Sequence, residues 1–326
     1  MQVDRKHIIT GIKVFLLITI LAFVVIFIVT LKKETFHALR SVKIEGLLIM
    51  GGAWIAIVFF DGLRLSMLSY CGEKKLSLWQ AAEVLFVGNF MAAVTPFQTG
   101  GLPLQLYILN KDGIPPGRGT ALLLVRGVIQ YIPIFLLAPF AAVKLGIEFP
   151  LYRIVGAYIG IIIFMAGFVL FLVLLKPKRL LKRIESKKER SRFYKFLAWA
   201  VKEGDTFIQT VKDFFKITNH KYFLFFIIFS TAFLFFYLFF PVFILYGLGI
   251  EFSVYQVVAI QLLLSAVLLY MPTPGASGIA ETGGALFFVT VCPKSLIGIF
   301  VLIWRFFTFY IGAVIGGIIT MKKIVR

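Results

Sequence analysis

M-P-T-P-G-A-S-G-I-A-E, Met271 to Glu281, breaks a long apolar stretch, and T-P-F-Q-T-G-G-L-P, Thr95 to Pro103, breaks another in the same way. Aligned on Thr95-Pro96 and Thr273-Pro274, both knots place a glycine four residues after the proline, at Gly100 and Gly278. A lone arginine follows each proline at nearly the same interval, Arg126 after 30 positions and Arg305 after 31. Polar, helix-breaking sequence at membrane depth is tolerated only where protein encloses it or where it lines a cavity. Two copies in corresponding places point to a transport-like substrate site between internal repeats.

Composition sets the surroundings of these knots. The chain has 326 residues, 60% hydrophobic and 16% aromatic, with a mean hydropathy of +0.96. A water-soluble domain of this length does not hide that much apolar surface. The sequence therefore reads as an all-α polytopic membrane protein. Val14 to Leu31, an uncharged run of 18 residues between Lys13 and Lys32, is long enough to span. With no small-residue cleavage site behind it, it reads as an uncleaved first helix.

The net charge of +19 is unevenly placed. Residues 176–221 hold 14 Lys/Arg against five acids, Glu185, Glu189, Glu203, Asp205 and Asp213. Such a block beside membrane helices marks a cytoplasmic loop by the positive-inside rule and argues against a nucleic-acid partner. It also suits an anionic lipid surface. Cys71 and Cys292 suggest no disulfide framework.

The pattern predicts helices at about 11–31, 44–70, 119–143, 151–175, 221–247 and 295–321. Broken pairs are predicted at about 77–94 with 100–110 and 254–271 with 277–291, and an amphipathic helix near 193–216. With the basic block inside, helix 221–247 runs outward, and the turn Gly247 to Ser253 carries Glu251 and no Lys or Arg. Lys322, Lys323 and Arg326 call for a cytoplasmic C-terminus, so the second broken pair begins and ends outside. Its second arm, about 15 residues or ~22 Å, is shorter than a ~30 Å hydrocarbon core, so it reads as a re-entrant hairpin. Lys74, Lys75, Lys111 and Arg118 place the first hairpin on the cytoplasmic side. The expected fold is thus an inverted-topology repeat, each half with a re-entrant broken-helix hairpin, in a multi-pass protein of the cytoplasmic membrane with both termini cytoplasmic. Residues 1–175 form the first repeat plus one helix of the second, 176–220 the basic segment, and 221–326 the remainder. Lys32, Lys33, Arg40 and Lys43 lie outside in this scheme, against the rule.

The candidate substrate-binding residues follow from the knots. Pro96 and Pro274 remove backbone donors, and Gly100, Gly101, Gly275 and Gly278 admit tight backbone. Thr95, Gln98, Thr99, Gln105, Thr273 and Ser277 add neutral hydrogen-bonding groups, and the arm beginning near Ser277 presents N-terminal amides suited to an anion. Kinks that merely permit close helix packing are the competing reading. Arg126 and Arg305 could fork a phosphate; alternatively they serve internal salt bridges, Arg305 with Glu281 being the evident pair. Glu281, in the broken segment, suits a protonation-linked carboxylate, a lipid-amine contact or that salt bridge. Asp61 and Arg64, three apart, read as a structural anchor at the cytoplasmic boundary, Asn89 as a helix–helix hydrogen bond, and Glu83 as an interfacial residue. Gly156/Gly160 and Gly312/Gly316 are small-residue pairs for close packing. His7, His37 and His220 are dispersed, so neither metal nor cofactor is expected, and no nucleotide loop or nucleophile motif occurs.

Gly88 to Pro115, G-N-F-M-A-A-V-T-P-F-Q-T-G-G-L-P-L-Q-L-Y-I-L-N-K-D-G-I-P, and Met271 to Glu281 together resemble a flippase-like membrane family, which also forms the transmembrane region of lysylphosphatidylglycerol synthases. The resemblance implies movement of an anionic or aminoacylated phospholipid, or another phosphate-bearing lipid, across the bilayer. Some relatives carry an acid at the position of Leu102 and an arginine at that of Gln105, which this chain lacks. The soluble domain that transfers lysine is expected to be missing, because the sequence ends at Arg326. The alternative is therefore a membrane component of a phosphatidylglycerol lysyltransferase system. A homo-oligomer is compatible with the sequence.

Overall fold

The computed structural model describes residues 44–146, 192–269 and 271–323, with single helical positions at Leu17, Ile20, Leu21, Val24 and Ile28. The expected helix at 151–175 lies outside the described residues, as do most of the one at 11–31, the pair Gly156/Gly160, His7 and His37. What is described is helical: α1 (Ile44–Ser69), α2 (Leu78–Val94), a 3₁₀ turn (Pro96–Gln98), α3 (Gly101–Lys111), α4 (Pro116–Lys144), α5 (Arg192–Phe214), α6 (His220–Gly247), α7 (Val254–Leu268), a 3₁₀ turn (Pro274–Ala276), α8 (Ile279–Phe288), α9 (Ile297–Arg305), a π turn (Phe306–Tyr310) and α10 (Ile311–Lys323). Among these residues α1, α4, α6 and the continuous segment Ile297–Lys323 are long and apolar enough to cross a membrane. The protein is a multi-pass membrane protein.

Local signals account for the boundaries. Ser77 caps α2 in a reciprocal box with Gln80. Pro115 and Pro116 open α4 without a side-chain cap of their own, and Glu203 of α5 supplies one, its Oε2 accepting from the Gly117 amide at 2.6 Å. The carbonyls at the C-terminus of α1 and in the turn after it are met from outside, Arg118 donating to the Ser69 and Lys74 oxygens at 2.7 and 2.8 Å and Asn219 to the Cys71 oxygen at 2.9 Å.

Packing relates the two halves. α1 and α6 form the most extensive helix pair and run antiparallel, with Gly46 against Gly247 at one end and the Tyr70 and Tyr222 rings 5.4 Å apart at the other. α2 packs on α10, while α7 packs on α4. Each broken pair thus lays its first helix on the closing helix of the other half. The two 3₁₀ turns touch each other, the Phe97 amide donating to the Pro272 oxygen at 3.2 Å. One core cluster joins Leu68, Leu76, Ile108, Ile114, Phe214 and Phe226; a second, including Met50, Leu248, Val257, Phe288, Cys292 and Leu296, joins the opposite ends. Lys111 reaches the Lys323 carbonyl, and Lys323 pairs with Glu83. The outer ends of α2 and α3 and the end of α10 therefore meet at one pole.

Gly312, Gly316 and Gly317 form the α10 face that receives Asn89, Phe86 and Phe90 of α2. A methyl on Gly316 would fall 1.8 Å from the Phe86 oxygen, a backbone atom that cannot swing away. Gly316→Ala is expected to cost about 1–3 kcal/mol, read as a lowered melting temperature in detergent. Cys71 and Cys292 are free and buried in separate clusters. Burial pushes their thiols up to about 11 and about 12. A raised thiol value means less thiolate at neutral pH, so maleimide labelling of the native protein at pH 7.5 should be slow. The rate should keep rising beyond the ordinary cysteine value of ~8.5.

Candidate functional site

The knots share more than their prolines. Phe97 (φ 52°) and Gln98 (φ 57°) are left-handed, and so are the two residues after Pro274, Gly275 (φ 59°) and Ala276 (φ 55°). Three of these four carry a Cβ and each costs roughly 1–2 kcal/mol in that conformation, a strain that persists only where tertiary contacts hold it. The glycines paired by alignment differ. Gly278 is left-handed (φ 80°), whereas Gly100 is ordinary helical backbone (φ −73°). The conformational repeat therefore lies two to three residues closer to the proline than the glycine repeat suggests.

Beside the first knot, α4 presents Arg126 into a cavity of about 320 Å³ lined also by Asp61, Asn89, Gln98, Gln130 and Tyr131. Asp61 holds Arg126 through both carboxylate oxygens, with contacts of 2.7–3.0 Å. The same carboxylate accepts from Arg64 Nε at 2.6 Å, and Arg64 continues to Gln130, one turn beyond Arg126. Asp61 and Arg64 do meet as the three-residue spacing predicts. The anchor reading is too small, however: Asp61 also ties α1 to α4 inside the cavity. Two guanidinium groups share one carboxylate, so the cluster keeps one surplus positive charge. Arg64 is fully buried with Phe233 3.9 Å from its carbon centre, whereas Arg126 retains 17% exposure.

The second arginine is arranged differently. Arg305 donates to Glu281 at 2.8 Å and to the Gly275 oxygen at 3.0 Å, fastening its own knot. Glu281 is wholly buried and accepts further from Tyr310 and the Gly278 amide, each at 2.6 Å. The salt-bridge alternative for Arg305 is thus realised, and Glu281 itself fills the Gly278 position of the expected amide cradle. The π turn after Arg305 brings Phe309 and Tyr310 beneath the guanidinium, 4.4 and 5.4 Å from its carbon. Such single π turns recur at functional sites. Behind Arg305 lies a smaller cavity of about 120 Å³, which shares Gln98, Tyr131, Tyr237, Thr308 and Phe309 with the larger one.

The other singled-out residues divide between site and scaffold. Thr95 accepts from the Gly100 amide and donates to the Met91 carbonyl, and Thr99 donates to the Pro96 carbonyl, so both hydroxyls close the knot itself. Gly101 and Gln105 of α3 pack on Gly88 of α2. Pro274 and Gly275 are buried, and the Thr273 and Ser277 hydroxyls are buried without a hydrogen-bond partner. Asn89 lies against Gly312, and Glu83 pairs with Lys323. Sequence reasoning missed Gln130, Tyr131, Tyr237, Gln261 and Thr308. A usable signal existed in Gln130, four residues after Arg126, and in the Gln261/Ser265 pair: uncharged polar side chains on one face of otherwise apolar helices. Among the described residues, no group of three or more His, Cys, Asp or Glu could hold a metal.

A family model described as the lysylphosphatidylglycerol synthase TM region matches residues 10–316. A UPF0104 membrane protein of Archaeoglobus fulgidus is 22% identical over 286 residues, covering 81% of this chain and 82% of the relative. No solved structure matches. The matched span takes in both knots, both arginines and every helix that lines the two cavities, and the chain belongs to the lysylphosphatidylglycerol synthase transmembrane-region family.

Proposed function

We propose that this protein carries a phosphate-bearing lipid across the cytoplasmic membrane, with Arg126 as the principal head-group ligand. The observation that carries this reading is the 320 Å³ cavity beside the first knot, lined by Asp61 and Arg126, whose cluster with Arg64 carries one surplus positive charge. Phosphate oxygens can accept from a guanidinium bidentately, compensating the charge that Asp61 leaves over. Ile57, Val58, Phe86 and Phe307 line the same cavity, offering an apolar side for the lipid body. Arg305, already committed to Glu281 and Gly275, acts as a latch on the second knot. Protonation of Glu281 would weaken that latch, which makes it the switchable group of the cycle.

An inverted repeat with two re-entrant hairpins is the architecture that suits this function. It is supported by contacts that map onto each other when the halves are exchanged: α1 with α6, knot with knot, α2 with α10 and α7 with α4. It is supported also by helix length: α2, α3, α7 and α8 are 17, 11, 15 and 10 residues, each under the ~30 Å core at ~1.5 Å per residue. In this reading the pole with Lys74, Lys111, Arg118 and Lys323 is cytoplasmic. There α5 lies along an anionic lipid surface, with Phe196 and Trp199 exposed.

In liposomes, Arg126→Ala should slow transbilayer movement of a fluorescent anionic phospholipid at least tenfold while the protein stays folded, because Asp61 keeps Arg64. Unchanged movement would remove Arg126 from the site. Arg305→Ala leaves a buried Glu281 without its cation and should cost about 3–5 kcal/mol, seen as a large drop in melting temperature. In intact cells, an impermeant thiol reagent should label Glu251→Cys from outside and reach Lys322→Cys only after permeabilisation; the reverse pattern would invert the topology.

A further inference from the structure

We infer that the second knot has two states related by a flip of the Ser277–Gly278 peptide, and that Thr273 is the positioning residue that receives the Gly278 amide in the second of them. The first knot is the template. Both knots read Thr-Pro-x-x-Thr/Ser-Gly, at residues 95–100 and 273–278. Their backbones agree through the first four of these residues: Thr95 and Thr273 are extended, and Phe97 and Gln98 share the left-handed φ of Gly275 and Ala276. The turn bonds agree as well. Gln98 and Ala276 donate to the Thr95 and Thr273 carbonyls at 3.2 and 2.9 Å, and Thr99 and Ser277 to the Pro96 and Pro274 carbonyls at 3.1 and 3.0 Å. The knots part at the next peptide. Thr99 (ψ −26°) and Gly100 (φ −73°) resemble the centre of a type I turn, Ser277 (ψ 147°) and Gly278 (φ 80°) that of a type II turn. Those two arrangements differ by turning one peptide plane over by about half a turn, with the chain on either side little moved.

The orientation of that peptide decides what its amide meets. Gly100 donates to Thr95 Oγ1 at 2.9 Å, whereas Gly278 donates to Glu281 Oε2 at 2.6 Å. The second knot is left with two buried hydroxyls without a partner, Thr273 and Ser277. Their counterparts are both bonded, Thr95 to the Met91 carbonyl as well as to Gly100, and Thr99 to the Pro96 carbonyl. A buried hydroxyl without a bond is costly, and the flip gives Thr273 the bond that Thr95 already has. Glycine at the sixth position of the knot accepts either sign of φ at little cost. The exchange belongs to the second knot, because the residue three beyond Gly278 is Glu281 and the one three beyond Gly100 is Pro103. In the flipped state Glu281 gives up Gly278 and keeps Arg305 and Tyr310. On the lipid-carrier reading, on which this role rests, the flip loosens the Glu281 latch without moving α8.

Ser277–Gly278 is the one Ser-Gly step in the sequence. Full-length protein isotope-labelled at the serine carbonyl and the glycine nitrogen therefore gives a single carbonyl-linked amide signal, that of Gly278. In nanodiscs this signal should show microsecond-to-millisecond exchange with a minor state of ~1–10%. Thr273→Val should lower the minor population about fivefold or more, as for the loss of one hydrogen bond, and Thr273→Ser should keep it. Thr273→Val should melt no lower than the unaltered protein, because its hydroxyl is unpaired in the major state, whereas Thr95→Val loses two bonds and should melt lower. Movement of a fluorescent anionic phospholipid in liposomes should slow about fivefold or more in Thr273→Val and not in Thr273→Ser. Where valine does not fold, Thr273→Ala repeats the comparison with a smaller side chain. A Gly278 signal without exchange, or a minor state indifferent to Thr273, would overturn the flip. So would a melting temperature that falls as far for Thr273→Val as for Thr95→Val. Unchanged lipid movement in a variant that has lost the minor state would overturn the role given to it. If Gly278 exchanges and responds to Thr273 while no lipid crosses in the unaltered protein, the flip stands and the transport reading falls.

Discussion

The contact between the two Pro/Gly knots is the constraint on which the rest of this protein depends. Opening a helix inside a membrane leaves amides and carbonyls that lipid cannot satisfy. Here the two interruptions satisfy each other, Phe97 donating to Pro272, and their own side chains and Arg305 meet other exposed groups. Three non-glycine residues are held left-handed at this junction. That strain is sustainable because α2 and α7 are each pinned against the closing helix of the other half.

Exchange packing of this kind also explains why the cavities form where they do. Among the described residues, α2, α3, α7 and α8 are shorter than the four helices long enough to span, and leave space between them. The gap that remains is lined by whatever the long helices present at that depth. On α4 this is Arg126, Gln130 and Tyr131; on α6, Tyr237; on the last segment, Trp304, Arg305, Phe307, Thr308 and Phe309. Asp61 then decides how the cationic groups are shared. By taking both Arg64 and Arg126 it ties α1 to α4 and leaves a defined positive surplus beside the knots.

Two arginines that look equivalent by position have separated in role. Arg305 is spent on its own knot, with Glu281, Tyr310 and the Gly275 carbonyl around it and aromatic rings beneath. Arg126 makes no such contact with the first knot and keeps an edge towards the cavity. The left-handed backbone recurs in the two knots, whereas the partners of the two arginines do not. One arginine fastens its own knot while the other keeps part of its side chain exposed.

Much of this was legible in the sequence. The described helices, the two interruptions and the gathering of Lys74, Lys111, Arg118 and Lys323 at one pole follow from apolar run length, Pro/Gly placement and charge, which are properties of local sequence. The Glu281–Arg305 pair was legible as one of two alternatives, because Glu281 has no other acid between Glu251 and the C-terminus to compete with it. Tertiary structure alone decided that Asp61 belongs to Arg126, 65 residues away. It alone decided that Phe97 and Gln98, rather than Gly100, adopt the left-handed backbone of the first knot. It also left Gln261 Oε1 and Trp304 Nε1 buried without a hydrogen-bond partner. The physical reason is common to all three: spacing along one helix sets which residues share a face, but only the packing of several helices sets what that face meets.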